Sequence, residues 1–424
     1  MPPPYLTRIV DRELDDLLPS LAAIALEGAK GVGKTATARR RAGTMHQLDA
    51  PGAVELYGAD PHRMLTGEPP VLLDEWQRIP ESWDLVRRAV DDDAAPGRFL
   101  LTGSAAPQAD LHSGAGRIVR LRMRPLTLHE RGLAPSTVSV AELLRGGRPS
   151  LHGTTTVDVA SYATEICRSG LPGVRHLPDR ARRVQLDGYL DRVIDRDLGE
   201  VSRPIRAISA LRRWMSAYAA ATSTTAAYDV IRDAATPGER DKPSKATVQA
   251  YREALERLWI LDPLPAWLPT GSHLRRLGSA PRHHLADPAL AARLLGVEVD
   301  ALLSVSGAGR LTPKDGTRLG QLFESLVTLD VRVHAQASGA RVGHLRTHAG
   351  EHEVDLIVER SDHRVLAIEV KLAHTVRDED VRHLRWLAEQ LGDRLLDAIV
   401  ITTGPEAYRR TDGIGVVPAA LLGP

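Results

Sequence analysis

Residues 22–40, AAIALEGAKGVGKTATARR, constrain this chain more than any other stretch. A short apolar run, 22–26, passes through a glycine-rich turn into Ala- and Arg-rich sequence suited to a helix. Gly28, Gly33, Lys34 and Thr35 match the spacing G-x-x-x-x-G-K-[ST], and a strand, loop and helix in that order is the context the spacing requires. Glycines let such a loop curl until its backbone N–H groups face an anion. The cradle consists of Gly28, Ala29, Lys30, Gly31, Val32, Gly33, Lys34, Thr35 and Ala36. In it Lys34 is placed to reach the β- and γ-phosphates of ATP, and Thr35 to hold Mg²⁺. A P-loop of this kind predicts an α/β module built on a parallel sheet.

The rest of the composition narrows the class. At 424 residues the chain exceeds one ordinary core, and roughly two to four domains are expected. Hydrophobic content of 43% with 26% charged residues is that of a globular protein, and no run approaches the ~20 apolar residues of a membrane span. The N-terminus has early acids and no apolar core segment, so no secretory signal is expected, nor any membrane partner. One cysteine, Cys167, excludes an internal disulfide and a cysteine-built zinc site, and a cytoplasmic location is the expectation. Only six of the 55 basic residues are lysines: Lys30, Lys34, Lys242, Lys245, Lys314 and Lys371. A compact ammonium differs from a guanidinium, so those positions are the first to inspect.

Two segments extend the phosphate site. In PPVLLDEWQRIP an apolar strand ends in Asp74 and Glu75, putting adjacent carboxylates at a strand's C-terminal end. Asp74 is expected to bind the Mg²⁺ and Glu75 to polarise the attacking water. In RFLLTGSAAP the next buried strand delivers Thr102 and Ser104 to the same edge, and Ser104 is the better placed to sense a γ-phosphate.

With LLDEWQRIP, LLTGSA and GAGRIVRLRMRPLTLHE, the chain resembles the prokaryotic AAA-type ATPases that carry a C-terminal domain of unknown function called DUF4143. Asp74, Glu75 and Gln77 match that family's Asp-Glu-x-Gln box, Thr102, Gly103 and Ser104 its Thr-Gly-Ser box, and Gly116, Arg117, Pro125 and Leu126 its Gly-Arg and Pro-Leu steps. The resemblance implies that Arg117 lies near the γ-phosphate, either of its own chain or of a neighbouring subunit. If it acts in trans, a homo-oligomer is required.

From residue 130 to about 204 the chain reads as helical, with Val184, Leu186, Tyr189, Leu190, Val193, Ile194 and Leu198 on one stripe and alternating Arg and Asp on the other. It resembles the family's lid, and its charges read as a solvated face. Two further helices, a polar loop, a helix capped by Ser244 and the short segment WILDPLPAW suggest a winged helix. In a DNA-reading version Lys245, Gln249 and Arg252 face outward, with Lys242 flanking the same helix; many winged helices dock proteins instead.

The C-terminal region is predicted as helix, strand, strand, strand, helix, strand. A three-residue turn at 361–363 sets Asp355 directly opposite Glu369, and Lys371 shares the face of Glu369. Like charges so placed repel, and a divalent cation between them would remove the conflict. Asp355, Glu369 and Lys371, preceded by a helix bearing Glu324, resemble the PD-(D/E)xK nuclease fold. That resemblance implies Mg²⁺ or Mn²⁺ on Asp355, Glu369 and Glu324, with Lys371 steadying the water or the phosphate. His344, His348 and His352 are expected to be exposed strand or loop residues.

The expected architecture is therefore α/β and multidomain. Residues 1–129 form a P-loop NTPase core, 130–204 a helical lid, 205–270 a winged-helix-like domain and 271–424 a PD-(D/E)xK-like α/β domain. The expected activity is that of a Mg²⁺-dependent ATPase acting on DNA; the competing reading is a nucleotide-controlled switch or scaffold whose nuclease-like domain binds without cutting.

Overall fold

Five parallel strands make the N-terminal sheet: β1 (Ala23–Glu27), β2 (Thr44–Gln47), β3 (Val71–Asp74), β4 (Phe99–Gly103) and β5 (Ile118–Arg122), in spatial order β2-β3-β4-β1-β5. The computed structural model describes residues 5–106, 115–201, 207–236, 242–269, 278, 280–305, 311–314, 316–347 and 350–424. β1, β3 and β4 are buried along their whole length, which is why they read as unbroken apolar runs rather than alternating ones. Because all five strands point the same way, their C-terminal ends share one edge. β4 lies between β1 and β3, so Thr102 and Ser104 emerge between the phosphate loop and Asp74 with Glu75.

The middle of the chain departs from a free-standing lid. Of the described residues within 130–204 only Val140–Arg145, Val159–Arg168, Pro172–Arg175 and the run from Asp179 are helical, and Val138–Ser139 is a strand, β6. Val140, Leu143 and Leu144 are buried in the same core as Leu396 and Ile399, so this stretch is built onto the C-terminal domain. Arg360 Nη1 donates to the Leu144 carbonyl at 2.8 Å and Arg409 Nε to that of Pro149 at 2.8 Å, closing the same seam. The Asp179–Arg192 helix continues through a π-helical turn, Val193–Asp197, into Leu198–Val201. Leu186, Leu190, Val193, Ile194 and Leu198 are buried as expected, but Val184 is 65% exposed, and Arg182 is buried on that helix in its stead.

Three helices follow, Ile208–Ala220, Tyr228–Ala234 and Lys245–Arg257. Ser244 caps the last, its hydroxyl accepting from the Thr247 N–H at 3.1 Å, and Val248, Tyr251, Leu255 and Leu258 are buried. The segment expected as a wing makes isolated bridges instead: Leu261 with Leu285, Leu264 with Arg282, and Ala266 with His344. It thereby ties the helices to the C-terminal domain. The short strands β7 (Leu303–Val305) and β8 (Leu311–Pro313) pair antiparallel beyond it.

The helix Gly316–Ala337 leads into a second sheet of β9 (Arg341–Arg346), β10 (Glu353–Glu359), β11 (Val365–Lys371), β12 (Leu395–Thr402), β13 (Tyr408–Arg409) and β14 (Gly415–Pro418), ordered β13-β14-β12-β11-β10-β9. The helix Arg382–Leu391 makes the crossover between the parallel pair β11 and β12. Finally β15 (Leu422–Gly423) pairs with β6. One buried apolar cluster runs from Val10 and Ile24 through Leu171, Trp214 and Phe323 to Val417, joining the parts of the chain. Asp262 adds an ionic weld: Arg124, just after β5, and Arg332 of the long C-terminal helix lie 2.8 and 3.0 Å from its carboxylate. Among the described residues no helix is long and apolar enough to cross a membrane.

Candidate functional site

The phosphate loop leaves β1 at Gly28 and turns through Gly31 and Gly33 at φ of 81° and 104°, a region in which side chains are strained. At Gly28 a Cβ would meet the Met123 carbonyl oxygen at 2.1 Å, so glycine is required there by close approach of two backbones. Lys34 begins the Lys34–Arg39 helix and is buried, with Nζ folded back to donate to the carbonyls of Gly28 at 2.8 Å and Ala29 at 3.0 Å. Burial pulls its ammonium down to about 8, against the opposing pull of Glu75 and Asp74.

Thr35 and Asp74 meet at the edge of the sheet. Thr35 Oγ1 donates to Asp74 Oδ1 at 2.8 Å, and the fully buried Thr102 donates to the same oxygen while accepting from the Glu75 N–H at 3.2 Å. Thr102 thus positions the strand-end acids. A hydroxyl and a carboxylate side by side are the hard oxygen pair that Mg²⁺ takes, and these residues fit it. Glu75 turns out of the strand at φ 55° and is held by two groups: Ser104 Oγ donates to Oε2 at 2.8 Å, and Gln77 Nε2 donates to the same oxygen and to Ser104 at 3.0 Å.

Beyond Glu75 lies a cavity of about 550 Å³ lined by Lys30, Asp49, Arg78, Arg192 and Arg196, among others. A smaller one of about 220 Å³ flanks the loop at Gly31, Leu171, Val174, Tyr189 and Val193. The helix from Asp179 forms a wall of both, and it is tied to the loop. Lys30 Nζ lies 2.5 Å from Asp197 Oδ1, and the Tyr189 hydroxyl donates to the Lys30 carbonyl at 3.2 Å.

Arg117 is elsewhere. It precedes Ile118, the β5 residue paired with Ala23 at the start of β1, whereas the loop leaves the far end of that strand. Roughly four residues of strand, about 13 Å, separate the two edges. Its Nε lies 2.7 Å from Asp91, so it does not contact a phosphate held by its own chain. On β5, Arg120 pairs with Glu27 at 2.6 Å and the half-buried Arg122 stacks over Trp259 at 3.6 Å, while Arg8 donates to the loop carbonyl of Val32 at 2.6 Å.

At the other end of the chain the β10 and β11 register pairs Leu356 with Ile368, which sets Asp355 opposite Glu369 as the turn length implied. Burial and the Asp355 charge push the Glu369 carboxyl well above the usual carboxylate range. Asp355 accepts from the Val370 N–H at 2.8 Å, and Glu369 pairs with Lys371 at 2.9 Å. Into the cluster comes Arg282, 2% exposed, whose guanidinium contacts Glu324, Glu353 and, at 2.9 Å, Asp355. Burial would raise the Asp355 carboxyl, but Arg282 and Lys371 hold it below the usual carboxylate range. Among the described residues no three His, Cys, Asp or Glu side chains are arranged to share a metal ion. His344, expected to be exposed, is buried with Nε2 3.0 Å from the Ala280 carbonyl oxygen. His352 stacks on Trp386 at 4.0 Å, and His348 lies outside the described residues.

A family model described as an AAA domain matches residues 21–131, and one described as a domain of unknown function, DUF4143, matches 319–422. The chain joins an AAA domain to a C-terminal DUF4143 domain. The stretch between includes a second domain of unknown function, DUF8612, over residues 159–301. Uncharacterized proteins of Mycobacterium bovis and Mycobacterium tuberculosis are each 26% identical over 407 residues, covering 93% of this chain and 80% of theirs.

In the AAA domain the loop, Asp74, Glu75, Thr102 and Ser104 converge, and the AAA match makes nucleotide binding its property. Sequence reasoning missed Arg78, in the turn directly after Glu75, and also Arg192 and Arg196, which reach Glu75 only through the docking of a distant helix and its π turn. At the carboxylate cluster of the DUF4143 domain it missed Glu353, two residues before Asp355, and Arg282, which lies in the DUF8612 stretch and carries no motif. On the helix expected to face DNA, Lys245 pairs with Asp229 at 2.7 Å, Gln249 with Glu253 at 2.8 Å, and Arg252 covers the Tyr228 ring at 4.6 Å. Lys242 pairs with Asp233 at 2.7 Å.

Proposed function

We propose that the AAA domain binds and hydrolyses Mg²⁺-ATP and that the chain works as a nucleotide-controlled switch, with the DUF4143 domain a binding module. The observation that carries this reading is the direct tie between the phosphate loop and the Asp179–Arg192 helix with its π turn, through Lys30 and Asp197. Phosphates entering the loop compete for Lys30, so nucleotide state is felt by a helix that packs on Pro288–Leu294 and so on the C-terminal core. In this reading Lys34 binds the β- and γ-phosphates, Thr35 and Asp74 hold Mg²⁺ when it is bound, Glu75 orients the attacking water and Ser104 senses the γ-phosphate. Mg²⁺ itself would supply charge neutralisation along the phosphates.

A second reading, action on DNA, is favoured by the outward position of Lys245, whose side chain is 75% exposed. The two are separated by phosphate release measured with and without single-stranded, duplex and branched DNA. Turnover indifferent to DNA, together with nucleotide-dependent change in exchange protection of residues 179–201, supports the switch; DNA-stimulated turnover replaces it with the second reading. Lys34→Ala is the control: hydrolysis is lost while the circular-dichroism spectrum is kept, and ordinary turnover in that variant overturns the loop assignment.

A further inference from the structure

We infer that Arg282 is a built-in counter-cation that closes the carboxylate cluster of the DUF4143 domain, in the place where the nuclease-like resemblance puts a divalent metal ion. The donors do not fit such an ion. Mg²⁺ needs oxygens at about 2.1 Å with their lone pairs free, and Ca²⁺ or Mn²⁺ needs several carboxylates converging on one point. Here the oxygens of Glu324, Glu353 and Asp355 are turned onto the guanidinium. The other Asp355 oxygen is taken by the Val370 N–H, and Lys371 holds Oε2 of Glu369, whose Oε1 is buried without a hydrogen-bond partner among the described residues.

Arg282 is also anchored. Its backbone exchanges both N–H to O bonds with Leu264 at 2.9 Å, so the guanidinium arrives on a paired segment. The guanidinium is 2% exposed and fills the point between Glu324, Glu353 and Asp355, so a dication seated at the same point would have to displace it. Arg282 on Asp355 and Lys371 on Glu369 bring the chain's own cations to the opposed pair. The cluster becomes a structural joint between the segment 260–267, which carries Leu264, and β10, with no reactive metal in it. The inference concerns this cluster alone and stands apart from whether the AAA domain hydrolyses ATP.

The test is Mn²⁺ binding by the nucleotide-free full chain, read as loss of the free-ion paramagnetic resonance signal. Wild type and Asp355→Asn are expected to give the same stoichiometry. Arg282→Gln is expected to gain one further Mn²⁺ per chain, at least tenfold tighter than any site in wild type, and Arg282→Gln with Asp355→Asn to lose it again. A wild-type Mn²⁺ that Asp355→Asn abolishes overturns the proposal, as does a folded Arg282→Gln that gains none. Should Arg282→Gln fail to fold, the comparison of wild type with Asp355→Asn decides alone.

Discussion

Lys30 in the phosphate loop and Asp197 in the π turn lie 2.5 Å apart, and the two ends of this ion pair differ in burial: the lysine side chain is 30% exposed, the aspartate 2%. The asymmetry fixes what each substitution costs. Lys30→Met strands a carboxylate in the interior and is expected to destabilise by about 3 kcal/mol. Asp197→Asn leaves a lysine that can turn toward water, at about 1 kcal/mol. Urea denaturation of the two variants checks this, and equal losses would show that the pair does not join a buried wall to a solvent-facing loop.

Lys34 makes a pH prediction. Its ammonium is held near 8 by burial, whereas an unfolded lysine titrates near 10.4. Between those values the unfolded chain binds more protons than the folded one, so stability rises with pH. The penalty for burying the charge is fully present below pH 8 and is relieved as pH approaches 10.4. The slope from this group is at most about 1.4 kcal/mol per pH unit, and Lys34→Met should remove it. Denaturation midpoints from pH 7.5 to 10 that stay parallel in wild type and variant would contradict this.

Glu75 is held by Ser104 and Gln77 beside Thr35 and Asp74. Glu75→Gln keeps shape and loses the base, so turnover should fall by about a hundredfold while ATP affinity is retained. Ser104→Ala removes one of two restraints and should cost less, on the order of tenfold. Single-turnover hydrolysis and a nucleotide-binding titration separate the two effects.

Arg117 and Asp91 form an exposed pair, 47% and 37% by side chain, so Arg117→Ala should change stability by less than about 1 kcal/mol. If Arg117 serves the nucleotide of a neighbouring subunit, the same variant should lose turnover by at least about a thousandfold. Wild-type turnover per chain should then rise with protein concentration. Normal turnover in Arg117→Ala removes the trans role.

Much of the site was legible because its signals are local. The loop spacing, the apolar run ending in Asp74 and Glu75, and the hairpin that opposes Asp355 to Glu369 each depend on a few consecutive residues and on strand alternation. The edge on which Arg117 lies was not legible, because it depends on the pairing of two strands. It precedes β5, the loop follows β1, and parallel strands put those positions at opposite ends. The lid reading of 130–204 failed where apolar residues at 140, 143 and 144 found a partner surface more than 200 residues further along the chain.

Sequence alone determined the loop spacing, which acids stand at the strand ends, and the helix-and-strand order around the hairpin of β10 and β11, since each follows from periodicity and steric rules within a short segment. Tertiary structure decided what those groups meet. Arg282 joins Glu324 and Asp355 across 42 and 73 residues, and Lys30 finds Asp197 across 167. Such pairings cost little chain entropy once the core has formed, carry no local pattern, and are set by the packing of elements whose apolar faces come together first.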